Sequence, residues 1–377
     1  MASLEEYLNN ELTLDAVSAA MIAEQQMRNR NYLGMSEIGE DCWRMLWYRF
    51  RHTAIEPLTL NSILAIDDGY RQEDIMADRL RKIPFVKLDT LAEDGHQFGY
   101  RFLGGHFAGH MDGKIIGILE APKTMHVWEN KAVNEKKFKE LKNLIMEHGE
   151  KQALEKWDSV YYAQAQIYMH AADLTRHYLT VQSPGGRAYT SCRTEVNHKI
   201  GISLLAKAEN IIKADRPPQR MSENRSFYKC NWCRMKEVCF DMKVPQVCCR
   251  TCAFSEPNTN DKTMSAAWRC HKKNYDFTGT GTTCEHHLFL NTMVPFKTVA
   301  ADDSTETPAW IKYQASDTDF FYNVASGAKK IPGSICLTSQ EIFEKEYFEL
   351  CFSTPKNKKM EEVVKEKKEV NKLKGLI

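Results

Sequence analysis

Eight of the twelve cysteines in this 377-residue chain fall between residues 230 and 284, and their spacing constrains the fold more than any other feature. Cys230-x2-Cys233-x5-Cys239 opens the run. Two cysteines separated by two residues wrap one metal through a tight turn, and a third close by supplies most of a ligand set. A fourth ligand is then needed, and Cys42 is the only cysteine before residue 192. Four thiolates suit either Zn²⁺ or a 4Fe–4S cluster. A second group, Cys249-x2-Cys252 with Cys270 and Cys284, reads as a tetrahedral zinc knuckle or ribbon that folds only around its metal. Cys248 stands as an alternative to Cys249, and His271, His286 or His287 as alternatives to a later cysteine. Scattered cysteines such as Cys192, Cys336 and Cys351 read as small buried hydrophobes.

Ligation rather than disulfide bonding is the expectation because the first residues, MASLEEYLNN, are acidic and lack the apolar core of a secretory signal. A reducing, cytoplasmic setting follows, where thiols stay reduced. No apolar run of about 18 residues is present to span a membrane, so no membrane partner is expected. The 51 basic and 50 acidic residues nearly cancel, which removes a global positive field for steering a polyanion but leaves room for local basic tracks. One such candidate is KAVNEKKFKELKNL (131–144), which reads equally as a solvated helix face with Glu partners.

At 377 residues the chain exceeds the roughly 250–300 at which one core stops growing, so a catalytic-size domain plus something smaller is expected. Helical patterns cover 1–30, 36–52, 59–82, 135–157, 160–174 and 197–213, with short β-like runs from 85 to 133 and paired strands around a PGG turn at 184–186. This order predicts an α/β (α+β) core. The domain boundaries expected are 1–243 for that core, 244–295 for a zinc-binding module, 296–354 for a C-terminal region without a recognisable motif, and 355–377 for a solvated Lys-rich tail.

Chemistry concentrates in HMDGKII (110–116) and VWENKAV (127–133). Residues two apart on a strand share a face, so Glu129 and Lys131 project together. A neighbouring strand carrying Asp112 would complete a pocket of two carboxylates and one ammonium. Carboxylates hold Mg²⁺ or Mn²⁺, the metal polarises a phosphate and lowers the pKa of its water, and a lysine orients that water or meets the developing negative charge. Gln164 and Tyr168, four apart on a helix, share a face. Gly69 and Glu73 add a carboxylate on an upstream helix. His110 shares a strand face with Asp112, which leaves it open as a site residue or as an ordinary strand histidine.

The order Gly69-x3-Glu73, Asp112, Glu129-x-Lys131, Gln164-x3-Tyr168 resembles the PD-(D/E)XK nucleases of the RecB-like exonuclease branch. Cys42 within SEIGEDCWRMLWYRF, followed by the trio at 230–239, resembles the iron–sulfur frame of AddB-type and CRISPR-associated (Cas-four type) exonucleases. Together the two signatures cover roughly residues 30–240. The resemblance implies a restriction-endonuclease-like core with a mixed central sheet flanked by helices, beside a small zinc-ribbon-like module. It further implies a metal-dependent exonuclease on single-stranded or end-bearing DNA, acting in DNA processing, recombination or degradation.

In such a site Asp112 and Glu129 bind Mg or Mn, the carbonyl of Asn130 assists, Lys131 handles the nucleophilic water, and Gln164 and Tyr168 contact the substrate strand. Met111 stands where the family has proline, and Glu73 where its upstream motif often has histidine. The resemblance favours 4Fe–4S over Zn at Cys42, Cys230, Cys233 and Cys239. A crosslink between positions 188 residues apart removes about 5 kcal/mol of unfolded-state entropy on the chain-entropy model built for disulfides. The competing reading is a non-catalytic nucleic-acid-binding or complex-assembly protein on a nuclease scaffold, which the intact Asp112, Glu129 and Lys131 oppose. Protein partners would meet the zinc module or the C-terminal region.

Overall fold

The computed structural model describes residues 12–25, 30–54, 58–241, 243–281, 284–302, 304, 308–328 and 331–344. The Lys-rich tail, Cys351 and the outer parts of the helix expected over 1–30 lie outside the described residues. The chain divides into two compact units: unit 1 comprises residues 1–227, 256–269 and 275–280, and unit 2 comprises 228–255, 270–274 and 281–377. The segment expected as a contiguous zinc-binding module, 244–295, is thus shared between the units.

Unit 1 is a mixed α/β fold. Its chain runs through α1 (Leu12–Gln25), β1 (Leu33–Gly34), α2 (Trp43–Phe50), α3 (Leu60–Arg81), β2 (Lys87–Asp89), β3 (Gly99–Phe102), β4 (Phe107–His110), β5 (Gly113–Ile116) and β6 (His126–Ala132). It continues with α4 (Glu135–His148), α5 (Glu150–Trp157), α6 (Ser159–Ala172), β7 (Arg176–Gln182), β8 (Tyr189–Glu195) and α7 (His198–Lys213). The central sheet has the order β2-β5-β6-β7-β8. β6 and β7 pair in parallel and the other neighbours are antiparallel. A second, three-stranded sheet has the order β1-β4-β3.

Local chemistry sets the element ends. The Thr59 hydroxyl accepts from the Ser62 N–H to start α3, Asn134 caps α4, and Asp158 caps α6 through the N–H groups of Val160 and Tyr161. Gly149, at φ +78°, splits the helical pattern 135–157 into two helices, because only glycine adopts that conformation without strain. Met76, Ala77 and Leu80 of α3 pack on Leu88, Ile115 and Trp128, which lays that helix over the central sheet. Behind the sheet, Phe138, Leu141, Leu154 and Ala165 close on Leu179, Val181 and Cys192, so Cys192 is a buried core residue as expected.

The loop 256–269 belongs to unit 1 for a physical reason. A Cβ at Gly104 would lie 2.3 Å from the Asn258 carbonyl oxygen, and one at Gly105 2.2 Å from that of Met264. The two glycines therefore let the loop lie directly on the backbone. Trp268 then packs against Phe50 and His106, with the Arg51 guanidinium 5.3 Å from its ring centre.

Unit 2 holds two short helices, α8 (Tyr228–Asn231) and α9 (Lys236–Phe240), and later β12 (Lys297–Ala301), β13 (Trp310–Gln314), β14 (Phe320–Val324), β15 (Ile335–Leu337) and α10 (Ser339–Glu344). Between these sets the chain forms β9 (Ser255–Pro257) and β10 (Trp268–Cys270), each of which crosses a unit boundary, and β11 (Tyr275–Phe277), which lies in unit 1. The region from 296 onward, which carries no motif, folds as a four-stranded sheet in the order β12-β13-β14-β15. Its face buries Ile311, Tyr313, Phe321 and Leu337 with Phe254, Phe289 and Phe296. Asn323 is buried within it, accepting from the Phe289 N–H at 2.9 Å and donating to the Ser339 hydroxyl at 3.1 Å. Among the described residues no helix is long and apolar enough to cross a membrane.

Candidate active site

Four elements of unit 1 bring the acidic residues together. β6 carries Glu129, Asn130 and Lys131; the turn between β4 and β5 carries Asp112; α3 carries Glu73; α6 carries Gln164 and Tyr168. Strand alternation puts Glu129 and Lys131 on one face, and the Lys131 ammonium donates to Glu129 Oε2 at 2.8 Å. Gln164 Nε2 donates to the same oxygen at 2.9 Å. The other oxygen, Glu129 Oε1, is buried with no hydrogen-bond partner. Asp112 Oδ2 accepts from the Asn130 main-chain N–H at 2.8 Å, which ties the turn to β6.

The electrostatics follow from this crowding. Burial raises the Glu129 pKa, the negative charge of Asp112 raises it further, and Lys131 opposes both. Asp112 is raised mainly by burial, against the pull of Lys131 and the Asn130 N–H. Glu73 is raised by burial and by Asp112, so the Asp112 charge acts on both Glu73 and Glu129. Burial alone would lower Lys131, but Glu129 and Asp112 outweigh it and hold the ammonium above its ordinary value. The result is an excess of two negative charges, if all four ionise, in a partly dry pocket.

Tyr168 acts on the backbone. Its ring is 2% exposed and its hydroxyl donates to the His110 carbonyl at 2.7 Å. Gly109 allows that approach, since a Cβ there would sit 2.8 Å from the hydroxyl. His110 itself is exposed, and burial with nearby Arg101 and Arg30 lowers its pKa. At Gly69 a Cβ would meet nothing within 4 Å, so that glycine is not kept by lack of space.

A supporting layer carries no catalytic motif and was not legible as chemistry. Thr180 on β7 donates to Asn130 Oδ1 at 3.0 Å and accepts from the Trp128 indole at 3.1 Å. Gln182 Nε2 donates to the Gln72 carbonyl at 2.6 Å and to Asn130 Oδ1 at 3.3 Å. The available signal is polar Thr180 and Gln182 at period two, alternating with Leu179 and Val181. Just beyond the site, Lys137 pairs with Asp158 at 2.7 Å and Lys139 with Glu135 at 3.3 Å, whereas Lys136 and Lys142 are exposed.

The cysteines divide by unit. In unit 1 the Cys42 sulfur caps α2, accepting from the Met45 N–H at 3.4 Å. In unit 2 Cys230, Cys233 and Cys239 lie along the turns of α8 and α9, with the Cys233 N–H donating to the Cys230 carbonyl at 3.2 Å. Cys249 feels the charges of Cys248, Cys284 and Cys270, and Cys252 those of Cys249 and Cys270, so the second group gathers within one neighbourhood of unit 2. Burial raises both thiols, Cys249 to about 11. His287 is buried, bonded through Nε2 to the Cys248 carbonyl at 3.0 Å. Among the described residues no three His, Cys, Asp or Glu side chains stand close enough together to hold a metal ion without moving.

No protein family matches the chain, and no curated protein is significantly similar to it. Among solved structures, that of SSO0001 overlaps at 15% identity and TM-score 0.35, covering 61% of this chain and 96% of that one. An alkaline exonuclease from Laribacter hongkongensis overlaps at 12% identity and TM-score 0.34, covering 51% and 90%. The same exonuclease in complex with dAMP overlaps at 10% identity and TM-score 0.33, covering 52% and 90%. Likeness at this level carries no argument about the site, whose reading rests on its own residues.

Proposed function

We propose that the chain is a metal-dependent deoxyribonuclease, an exonuclease that hydrolyses phosphodiester bonds of single-stranded or end-bearing DNA. The observation that carries this reading is Glu129: one oxygen is shared by Lys131 and Gln164, while the other is buried, unpartnered, and set in the field of the Asp112 carboxylate. A buried carboxylate oxygen without a partner is destabilising by a few kcal/mol. A hard divalent cation offsets that cost and the repulsion among Glu129, Asp112 and Glu73 together. Asp112 and Glu129, with the Asn130 carbonyl, would hold Mg or Mn, and Glu73 would assist from α3 directly or through a water. When bound, such an ion polarises the phosphate and lowers the pKa of a water.

The protein's own groups do the rest. Lys131, fixed against Glu129, keeps a positive charge beside the reacting phosphate and orients the attacking water. Gln164 holds the Glu129 carboxylate in one rotamer, and Tyr168 holds the strand end that presents Asp112, so both are positioning residues. Asp112→Asn keeps the shape and removes one negative charge. On end-labelled single-stranded DNA with Mg²⁺ or Mn²⁺, wild type should release nucleotides, EDTA should stop it, and Asp112→Asn should be slower by at least about 100-fold. Equal rates for the two proteins would overturn the assignment.

For the cysteines, the sequence grouping supports a 4Fe–4S cluster on Cys42, Cys230, Cys233 and Cys239, with Zn as the alternative at the same four. The clustering of thiols in unit 2 supports Zn at Cys249, Cys252, Cys270 and Cys284. Absorbance and metal analysis of protein purified without oxygen test both: one cluster and one zinc support the assignment, and no iron with two zinc ions would replace the cluster by zinc.

A further inference from the structure

In unit 2 an aromatic side chain stands nearly bare where a chain would ordinarily hide it. Trp232 is 90% exposed, whereas the next most exposed tryptophan, Trp43, is at 39%. Tyr228, one helical turn earlier, is 65% exposed. An indole so placed contributes nothing to the core, whereas tryptophan is highly buried on average. The turn beneath it is well fixed. The Cys233 N–H donates to the Cys230 carbonyl at 3.2 Å, the Lys236 N–H to the Cys233 carbonyl at 3.1 Å, and Lys236 Nζ to Asn231 Oδ1 at 3.0 Å. Met235 and Val238 are buried and anchor the segment. The tryptophan is therefore held out on a rigid turn.

Charge selects the occupant. Residues 228–236, YKCNWCRMK, contain Lys229, Arg234 and Lys236 and no acidic residue. Lys229 and Arg234 are exposed and adjoin the two aromatic residues in sequence. Flat π-faces interleaved with cations suit unpaired bases joined by phosphates: each base offers a face to stack, and each phosphate an anion to neutralise. Duplex DNA hides its base faces, and an apolar protein surface gains nothing from three cations.

We propose that Trp232, with Tyr228, is a stacking platform for single-stranded nucleic acid, and that Lys229 and Arg234 track its backbone. The inference deepens the nuclease reading and rests on it. It places substrate binding in unit 2, on residues outside the acidic site.

The test uses the full chain, purified without oxygen and carrying its zinc and iron, with a fluorescent oligo(dT) and no added Mg²⁺ or Mn²⁺, so that hydrolysis does not compete with binding. Trp232→Ala should weaken binding on the order of 10-fold, within the range for losing one base stack, and Trp232→Phe should retain most of it. Lys229→Ala should weaken binding and reduce the salt dependence of log K by about 0.7. Tryptophan emission should be quenched by the oligonucleotide in wild type and much less in Trp232→Ala. Unchanged metal content and melting temperature show that the variant is folded. Equal affinity of wild type and Trp232→Ala for the oligonucleotide overturns the proposal and leaves the indole to a protein partner. Loss of affinity for duplex as large as that for single strands also overturns it. Binding through Trp232 without any hydrolysis would sink the nuclease reading while the platform stands; hydrolysis with Trp232 dispensable would do the reverse.

Discussion

Replacing Tyr168 by Phe separates two accounts of the helical Gln-x3-Tyr motif. The hydroxyl donates to the His110 carbonyl at 2.7 Å, in a slot closed by Gly109 and Met35, and the ring is 2% exposed. Tyr168→Phe keeps the ring and deletes that bond. The stability cost is about 1 kcal/mol for the bond, rising to about 3 kcal/mol where the carbonyl is left dry. The larger effect is on geometry, because Asp112 lies two residues beyond the freed carbonyl. A displacement of about 1 Å in a reacting constellation costs up to about 100-fold in rate. Steady-state hydrolysis of a labelled single strand, titrated with Mn²⁺, should therefore show kcat reduced about 10-fold or more. The metal concentration for half-maximal activity should rise, and the KM for DNA should stay unchanged. Gly109→Ala, which pushes a methyl to within 2.8 Å of the same hydroxyl, should act in the same direction. A raised KM with kcat and metal dependence unchanged would mean that the hydroxyl touches the strand, and the positioning role would be wrong.

Thr180→Val should destabilise unit 1 by about 2 kcal/mol in urea unfolding, since it strips the Trp128 indole of its acceptor and Asn130 of a donor; no change would mean the layer beneath Asn130 is dispensable. His177 is buried and held neutral, its pKa lowered to about 3 by burial, with Lys131 and His126 adding to it. Below pH 6.5 the unfolded chain takes up a proton that the folded state refuses, so stability is lost as pH falls from about 6.5 toward 3. Between pH 7 and pH 5 the loss from this group is roughly 2 kcal/mol, and His177→Asn should remove that part of the urea-midpoint shift. An identical pH dependence in the variant would place His177 in contact with solvent.

The legible part of the site was what local periodicity controls. Alternation on β6 put Glu129 beside Lys131, and the four-residue helical step put Gln164 and Tyr168 on one side of α6. What those helical side chains would touch was not legible, because it depends on how α6 lies against β4 and β6. Thr180, Gln182 and Gln72 were invisible for the same reason: the parallel register Asn130↔Thr180 exists only once two distant strands meet. The helix break at Gly149 could have been read from its glycine, whereas the return of residues 256–269 to unit 1 could not. That return depends on Gly104 and Gly105 accepting a backbone 150 residues away in sequence. The cysteine spacing announced two groups, and which residues complete each group lies with the metals themselves.

If Glu129, with Asp112 and Lys131, forms a hydrolytic centre, the initial rate of nucleotide release from an end-labelled single strand at saturating Mn²⁺ depends on it. Glu129→Gln preserves the side-chain shape and an amide donor cannot replace the lost charge. The account predicts release by wild type and a fall of at least about 1,000-fold in Glu129→Gln, with the variant still folded. A variant that releases nucleotide at the wild-type rate, or a wild type that releases none, would contradict it.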